Sequence, residues 1–241
     1  MRPTRYIVGL LAIALAVLCT SCLYSRLLSF KNQLGSFDEY VRLTNGGHTL
    51  EFLQPIVEPA DLTDLTGLPP THIESQATGE QIHTYNYRSL SPTGLTGTPY
   101  KLCFTLHFNS DGLSAFDYPP VMAQILGTNF IVAAAKAIGK SRLNQHEYKL
   151  DWACQSTNLA AMPIPSSADM TQVLGMARSC SNTPSCDVAD YAFVLERDDG
   201  TMRTNETMGA VFQFDPSNSL LRHTAMHIGK LRLVIDLPRV P

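Results

Sequence analysis

The chain has 241 residues, enough for one large domain or two small ones. Hydrophobic residues make up 44% and charged residues 16%, a balance that builds a core and excludes a disordered or collagen-like chain. With 18 Lys and Arg against 21 Asp and Glu the formal charge is −3, so no basic excess points to nucleic acid as a partner. The N-terminus starts with Arg2 and Arg5 and continues into thirteen uncharged, mostly apolar residues, Tyr6 to Leu18. Positive charge, an apolar run and then small residues is the order of a secretory signal.

Cys19-Thr20-Ser21-Cys22 resembles a bacterial lipobox, in which small residues precede a Cys that is freed by cleavage and lipidated. Cys19 stands where that pattern prefers Leu. The resemblance implies a signal peptide over 1–21 and an acyl anchor, such as palmitate, on Cys22. Leu23 in place of Asp implies delivery to the outer membrane, at its periplasmic face. Two alternatives stay open. Tyr6 to Leu23 is eighteen residues, the lower limit for crossing a ~30 Å hydrocarbon core as an uncleaved inner-membrane anchor. Simple secretion is the other. After cleavage 220 residues remain, with 16 basic and 21 acidic side chains and a net charge of −5. Such a surface is not drawn to anionic lipid, so the anchor itself supplies membrane affinity.

Beyond Cys19 and Cys22 four cysteines remain, an even number suited to an oxidising compartment. Cys180 and Cys186 bracket five turn-forming residues and are expected to close a disulfide loop. Cys103 and Cys154 lie in apolar strand-like runs and either pair or stay as buried thiols. Among these four no CxxC or nearby His pair suggests zinc.

In chain order, Leu23, Leu27, Phe30, Leu34, Phe37 and Val41 recur at helical spacing, and Asn45-Gly46-Gly47 ends that helix. Thr49 to Val57 reads as a strand, and Pro59 opens a short helix that stops at Gly67. Strands follow at Ile82 to Ser89, Tyr100 to Phe108 and Leu113 to Tyr118, the last two joined by a turn containing Asp111-Gly112. The order then repeats. A helix runs from Val121 to about Ile138, stopped by Gly139, and Glu147 to Cys154 is a strand. Ser166 or Ser167 caps a short helix through Leu174. Strands at Asp190 to Glu196, Met208 to Phe214 and Leu220 to about Leu237 close the sheet, the last bending at Gly229. Tyr85, Tyr87 and Phe108 match Tyr191, Phe193 and Phe214 at a constant offset of 106. The expectation is an α+β fold of two tandem αβαβββ units, 22–118 and 119–241, with helices packed on antiparallel sheets.

Ser167, Thr171-Gln172-Val173 and Leu174-Gly175 resemble the short helix of the outer-membrane assembly lipoproteins of the BamE (SmpA/OmlA) group. In that group the helix ends in Leu-Gly-x-Pro and an aromatic strand follows. Gly67-Leu68-Pro69 supplies the Gly-x-Pro in the first half; Gly175-Met176-Ala177 departs from it in the second. Tyr85-Asn86-Tyr87 and Tyr191-Ala192-Phe193 stand in place of the aromatic strand. The tandem arrangement is similar to the β-lactamase inhibitor protein fold. The resemblance bears on fold and implies no individual partner-binding residue.

Catalytic motifs are not evident: there is no Gly-x-Ser-x-Gly, P-loop, GxGxxG or HExxH. His223 and His227 are four apart, but on a strand that is about 13 Å, too far for one metal ion. His107 alternates with Leu106 and Phe108 and is expected to face outward. Asp198-Asp199 and Asp215 read as turn chemistry, Asp38-Glu39 as a solvated helix face, and Ser166-Ser167 as a cap. Trp152 shares a strand face with Leu150 and is expected in the core. The Pro-, Gly-, Ser- and Thr-rich segment Ser89 to Pro99 is a long connecting loop. The sequence therefore favours a non-enzymatic envelope lipoprotein without cofactor or metal, tied to the membrane by its lipid and binding another envelope protein as an assembly or scaffold module. The alternatives are an inhibitor or small-ligand-binding protein, and then a hydrolase.

Overall fold

The helical stripe that begins at Leu23 ends sooner than its spacing suggests. In the computed structural model, helix α1 covers residues 23–35, Ser36 interrupts it, and a single turn, α2 (Phe37–Tyr40), follows. Val41, expected on the helix, instead opens strand β1 (Val41–Thr44), which pairs with β2 (Thr49–Phe52) across the Asn45–Gly47 turn. Gly35-Ser36 weakens the helix, and the β-branched Val41 and Thr44 suit a pleated edge. The structure describes residues 23–90, 100–144, 149–153, 164–181, 187–229 and 231–237, with the backbone alone at 142–144, 149–153, 204–207 and 235.

Helix α3 (Pro59–Thr66) forms as its sequence dictates, with Pro at its first position, a reciprocal cap between Glu58 and Asp61, and Gly67 at its end. Strands β3 (His72–Ser75), β4 (Gln81–Ser89), β5 (Lys101–Asn109) and β6 (Gly112–Asp117) follow. The helix expected over 121–138 is two helices, α4 (Pro120–Leu126) and α5 (Thr128–Lys140), bent by 100° at Gly127, whose φ is 78°. Gly139 does not stop α5. It is the crossing point with α1, where a Cβ would overlap the Gly35 backbone. Strands β7 (Arg142–Asn144) and β8 (Lys149–Ala153) precede α6 (Ser167–Leu174), capped by Ser166. The chain continues through β9 (Ser179–Ser181), β10 (Val188–Glu196), β11 (Met202–Phe214), β12 (Leu221–Ile228) and β13 (Leu231–Asp236). The closing bend expected at Gly229 is a full hairpin turn. Gly229 has φ of 56° and lies against the Thr66 carbonyl, where no side chain would fit.

The fold is α+β. Among the described residues thirteen strands join one sheet, in the order β1-β2-β6-β5-β4-β10-β11-β12-β13-β8-β7, with β3 beside β4 and β9 beside β10. Neighbours are antiparallel except β8 and β13, which run parallel. The core lies between the helices and one face of this sheet. One cluster gathers Tyr85, Tyr87 and Leu102 with Met170, Val173, Tyr191 and Phe193; the other gathers Leu34, Phe37, Val41 and Phe52 with Phe108 and Ala135. Phe104, Leu106 and Met122 pack against both, so the core runs continuously across the boundary expected at 118 and 119.

Candidate functional site

Side chains alternate across a strand, so each strand assigns its residues to the helix side or to the open side. On β4 His83, Tyr85, Tyr87 and Ser89 are buried, whereas Ile82, Thr84, Asn86 and Arg88 are only partly covered. The same alternation places Tyr191 and Phe193 of β10, and Phe212 and Phe214 of β11, on the helix side. The open face carries instead Lys101, Cys103, Thr105, His107, Asp190, Gln213, His223 and His227. The face is mixed: Ile82, Ala192, Val194, Val211, Ala225 and Val234 share it with these polar groups, and its aromatic rings among the described strand residues are histidines.

Three groups of polar contacts occupy this face and its rim. In the first half, His107 Nε2 lies 2.8 Å from Asp117 Oδ2. Thr49 Oγ1 donates to the other carboxylate oxygen at 2.5 Å, and Asn45 Nδ2 donates to Thr49 at 2.9 Å. Because a carboxylate only accepts, the neutral imidazole carries its proton on Nε2 and keeps a lone pair on Nδ1. His107 lines a shallow hollow of about 210 Å³ with Gln76, Glu80, Gln81 and Ser114. Cys103 is a free, exposed thiol on the same strand face. Desolvation first, and the nearby Asp117 charge in addition, raise its pKa; a hydrogen bond with Thr105 opposes them. Four residues along a strand put Cys103 about 13 Å from His107, so the imidazole cannot deprotonate that thiol.

The second group sits where β4 meets β10. Glu196, with a side chain only 6% exposed, accepts a salt bridge from Arg88 and lies 3.3 Å from Lys101 Nζ. Thr71 is buried beside them. Its hydroxyl donates to the Glu196 carbonyl at 2.9 Å and accepts the Asn86 N–H at 2.9 Å. It thereby satisfies the backbone groups left between the end of β3 and the start of the β10 pairing. The third group consists of His223 with Asp236 at 2.6 Å and, at the sheet end, His72 with Asp198 at 3.1 Å.

The residues singled out from sequence fall as follows. Cys22, Cys154 and Cys186 lie outside the described residues, as do 91–99 of the long loop and the side chain of Trp152. Cys180 is disulfide-bonded. Cys103 carries no disulfide in this structure and is exposed, not buried as expected of a strand thiol, because it falls on the open face of β5. His223 and His227 share the open face of β12 opposite Asp236 and Arg232 respectively, and no group of three or more ligating side chains occurs among the described residues. Asp199 and Asp215 each bind the amide and hydroxyl two residues on, Thr201 and Ser217. The Thr201 bonds hold the Asp199 carboxyl below its usual range. Asp38 pairs with Lys136 at 2.7 Å, and Ser166 exchanges hydrogen bonds with Asp169.

Sequence reasoning passed over Thr71, Arg88, Glu196 and Asp117, and also the pair that fixes α1. Arg26 grips the buried carboxylate of Asp61 with two nitrogens, at 2.7 and 2.5 Å, and reaches Glu58 at 3.3 Å. The acidic first turn of α3 and a lone Arg on the preceding helix were the available signal. Among the described residues no single helix is long and apolar enough to cross a membrane. Comparison with family models, curated proteins and solved structures gives no match.

Proposed function

We propose that the chain is a non-enzymatic, lipid-anchored module of the bacterial cell envelope that binds another envelope protein through the open face of its sheet. The observation that carries this reading is the breadth and chemistry of that face. Eleven strands lie side by side in one sheet with the helices and aromatic core on the other side, leaving a wide surface on which small aliphatic side chains such as Val211, Ala225 and Val234 alternate with polar groups oriented by their neighbours. The signal-like N-terminus and Cys22 supply the envelope address.

The same reading treats the chain as two copies of one unit. The pairing of β4 with β10 supports it: adding 106 converts Tyr87 to Phe193 and Ser89 to Leu195, and those residues cross-pair as Tyr87 with Leu195 and Ser89 with Phe193. The pair Arg88 with Val194 maps onto itself. A two-fold relation between the halves requires this register. The short strands β3 and β9 flank the junction correspondingly.

An aromatic grip of the inhibitor type is less favoured, because the described rings of the central strands point to the core. For hydrolysis, the hydroxyls beside the His107–Asp117 pair are engaged elsewhere: Ser114 donates to the His107 carbonyl at 3.1 Å and Thr49 to the Asp117 carboxylate. The test is fractionation of cells making the wild type or Cys22→Ala. The wild type is expected in the outer membrane, cleaved and acylated; Cys22→Ala is expected uncleaved and unacylated. Equal processing and membrane attachment of both would refute the lipoprotein assignment.

A further inference from the structure

The anchor and the folded body are joined almost without slack, and we infer that the end of the molecule formed by the first turns of α1 and α3 rests against the bilayer surface. This inference rests on the proposed membrane anchoring through residues 1–22, and it holds for either a lipid on Cys22 or an uncleaved apolar segment. Three residues separate Cys22 from Arg26, four Cα–Cα steps that span at most about 14 Å even fully extended. The headgroup layer accounts for about 5–7 Å of that on each side of the hydrocarbon. Arg26 is therefore held within about 10 Å of the membrane surface.

Arg26 does not lie on a loose tether. Its guanidinium is clamped by the buried Asp61 and by Glu58, at the start of α3. Further along α1, Lys31 Nζ donates to the Gly139 carbonyl at 2.8 Å, Gln33 donates to the Gln54 carbonyl at 2.9 Å, and Leu34 is buried. The helix is thus bolted to the body over its described length, and fixing its first turn near the bilayer fixes the body too. The exposed row of α1 fits that placement. Tyr24, Leu28 and Asn32 follow at i, i+4 and i+8, with Tyr24 half-buried, Leu28 exposed and Asn32 exposed. The row runs from aromatic to aliphatic to amide with distance from residue 22. An aromatic ring at the polar–apolar boundary, followed by polar residues further out, suits a headgroup layer.

A photoreactive residue placed in the full chain tests this in native membranes. It would replace Leu28 or Ala60 at the apposed end, or Ser217 in the exposed turn before β12. Lipid adducts are expected from positions 28 and 60 and not from 217. Arg26→Ala should lose the adduct at 60 while the protein stays in the membrane fraction. Thermal unfolding tells release of the helix from loss of the fold, and the wild-type pattern alone decides the inference. Equal adducts from all three positions, none from any, or protein adducts in place of lipid, with the chain still membrane-bound, overturn the apposition and leave the anchor standing. A chain found outside the membrane fraction, without an acyl group on Cys22, overturns the anchor and the inference with it.

Discussion

Replacing Thr71 by Val keeps the shape of the side chain and removes its hydroxyl. Thr71 is 7% exposed, and that hydroxyl serves the Asn86 N–H on β4 and the Glu196 carbonyl on β10 at once. The Thr71–Glu196 bond is buried and the Thr71–Asn86 bond partly so, which leaves water little room to replace the lost partner. An unsatisfied buried group costs about 1–3 kcal/mol, more for an N–H than for a carbonyl with a second lone pair, so about 3 kcal/mol is expected in total. For a domain of this size that lowers Tm by roughly 6–12 °C. Thr71→Ser keeps the hydroxyl and loses one methyl, which costs about 1 kcal/mol. Urea unfolding followed by circular dichroism measures both. If Thr71→Val proved no less stable than Thr71→Ser, the hydroxyl would not be the clasp between the halves.

Glu196→Ala leaves Arg88 and Lys101 unpaired, but their side chains are 25% and 55% exposed and stay hydrated, so the cost in the same urea assay should be about 1–2 kcal/mol, and Arg88→Met combined with Glu196→Leu should recover most of it. Burial lowers the His83 pKa below 6.5, so the folded protein favours neutral His83; its stability contribution is complete above about pH 6.5 and is lost as pH falls. His83→Gln should therefore flatten the fall in stability between about pH 7 and pH 5 relative to wild type, and an unchanged slope would contradict it. The raised pKa of Cys103 keeps it a thiol at neutral pH, so iodoacetamide should modify it more slowly than a small model thiol, with a rate that climbs as pH rises.

What the sequence made legible was local chemistry. Pro59 and Gly67 bound α3, Ser166 starts α6, and the alternation of Tyr85, Tyr87 and Ser89 marks a half-covered strand. Elements decided by tertiary pairing were less legible. Val41 continues a helical period by spacing, yet backbone pairing with Phe52 makes it a strand residue. A Gly inside an apolar helix reads as a stop at Gly139 and as tolerable at Gly127; the structure reverses those roles, because Gly127 takes a positive φ of 78° that breaks the helix, whereas Gly139 stays helical and admits the Gly35 backbone. The short strands β3 and β9 carry little apolar pattern, being exposed along their length. The polar clusters were hidden for a related reason. His107 with Asp117, and Arg88 with Glu196, are separated in sequence and meet only through strand register.

Site-resolved photo-crosslinking in living cells tests the binding account most directly. Probes at Ile82, Thr105 and Gln213 sample the open face, and one at the exposed Asn129 of α5 samples the helix side. The account predicts one and the same envelope protein captured from all three open-face positions and not from Asn129. No protein adduct from the open face, or the same adducts from Asn129, would contradict it.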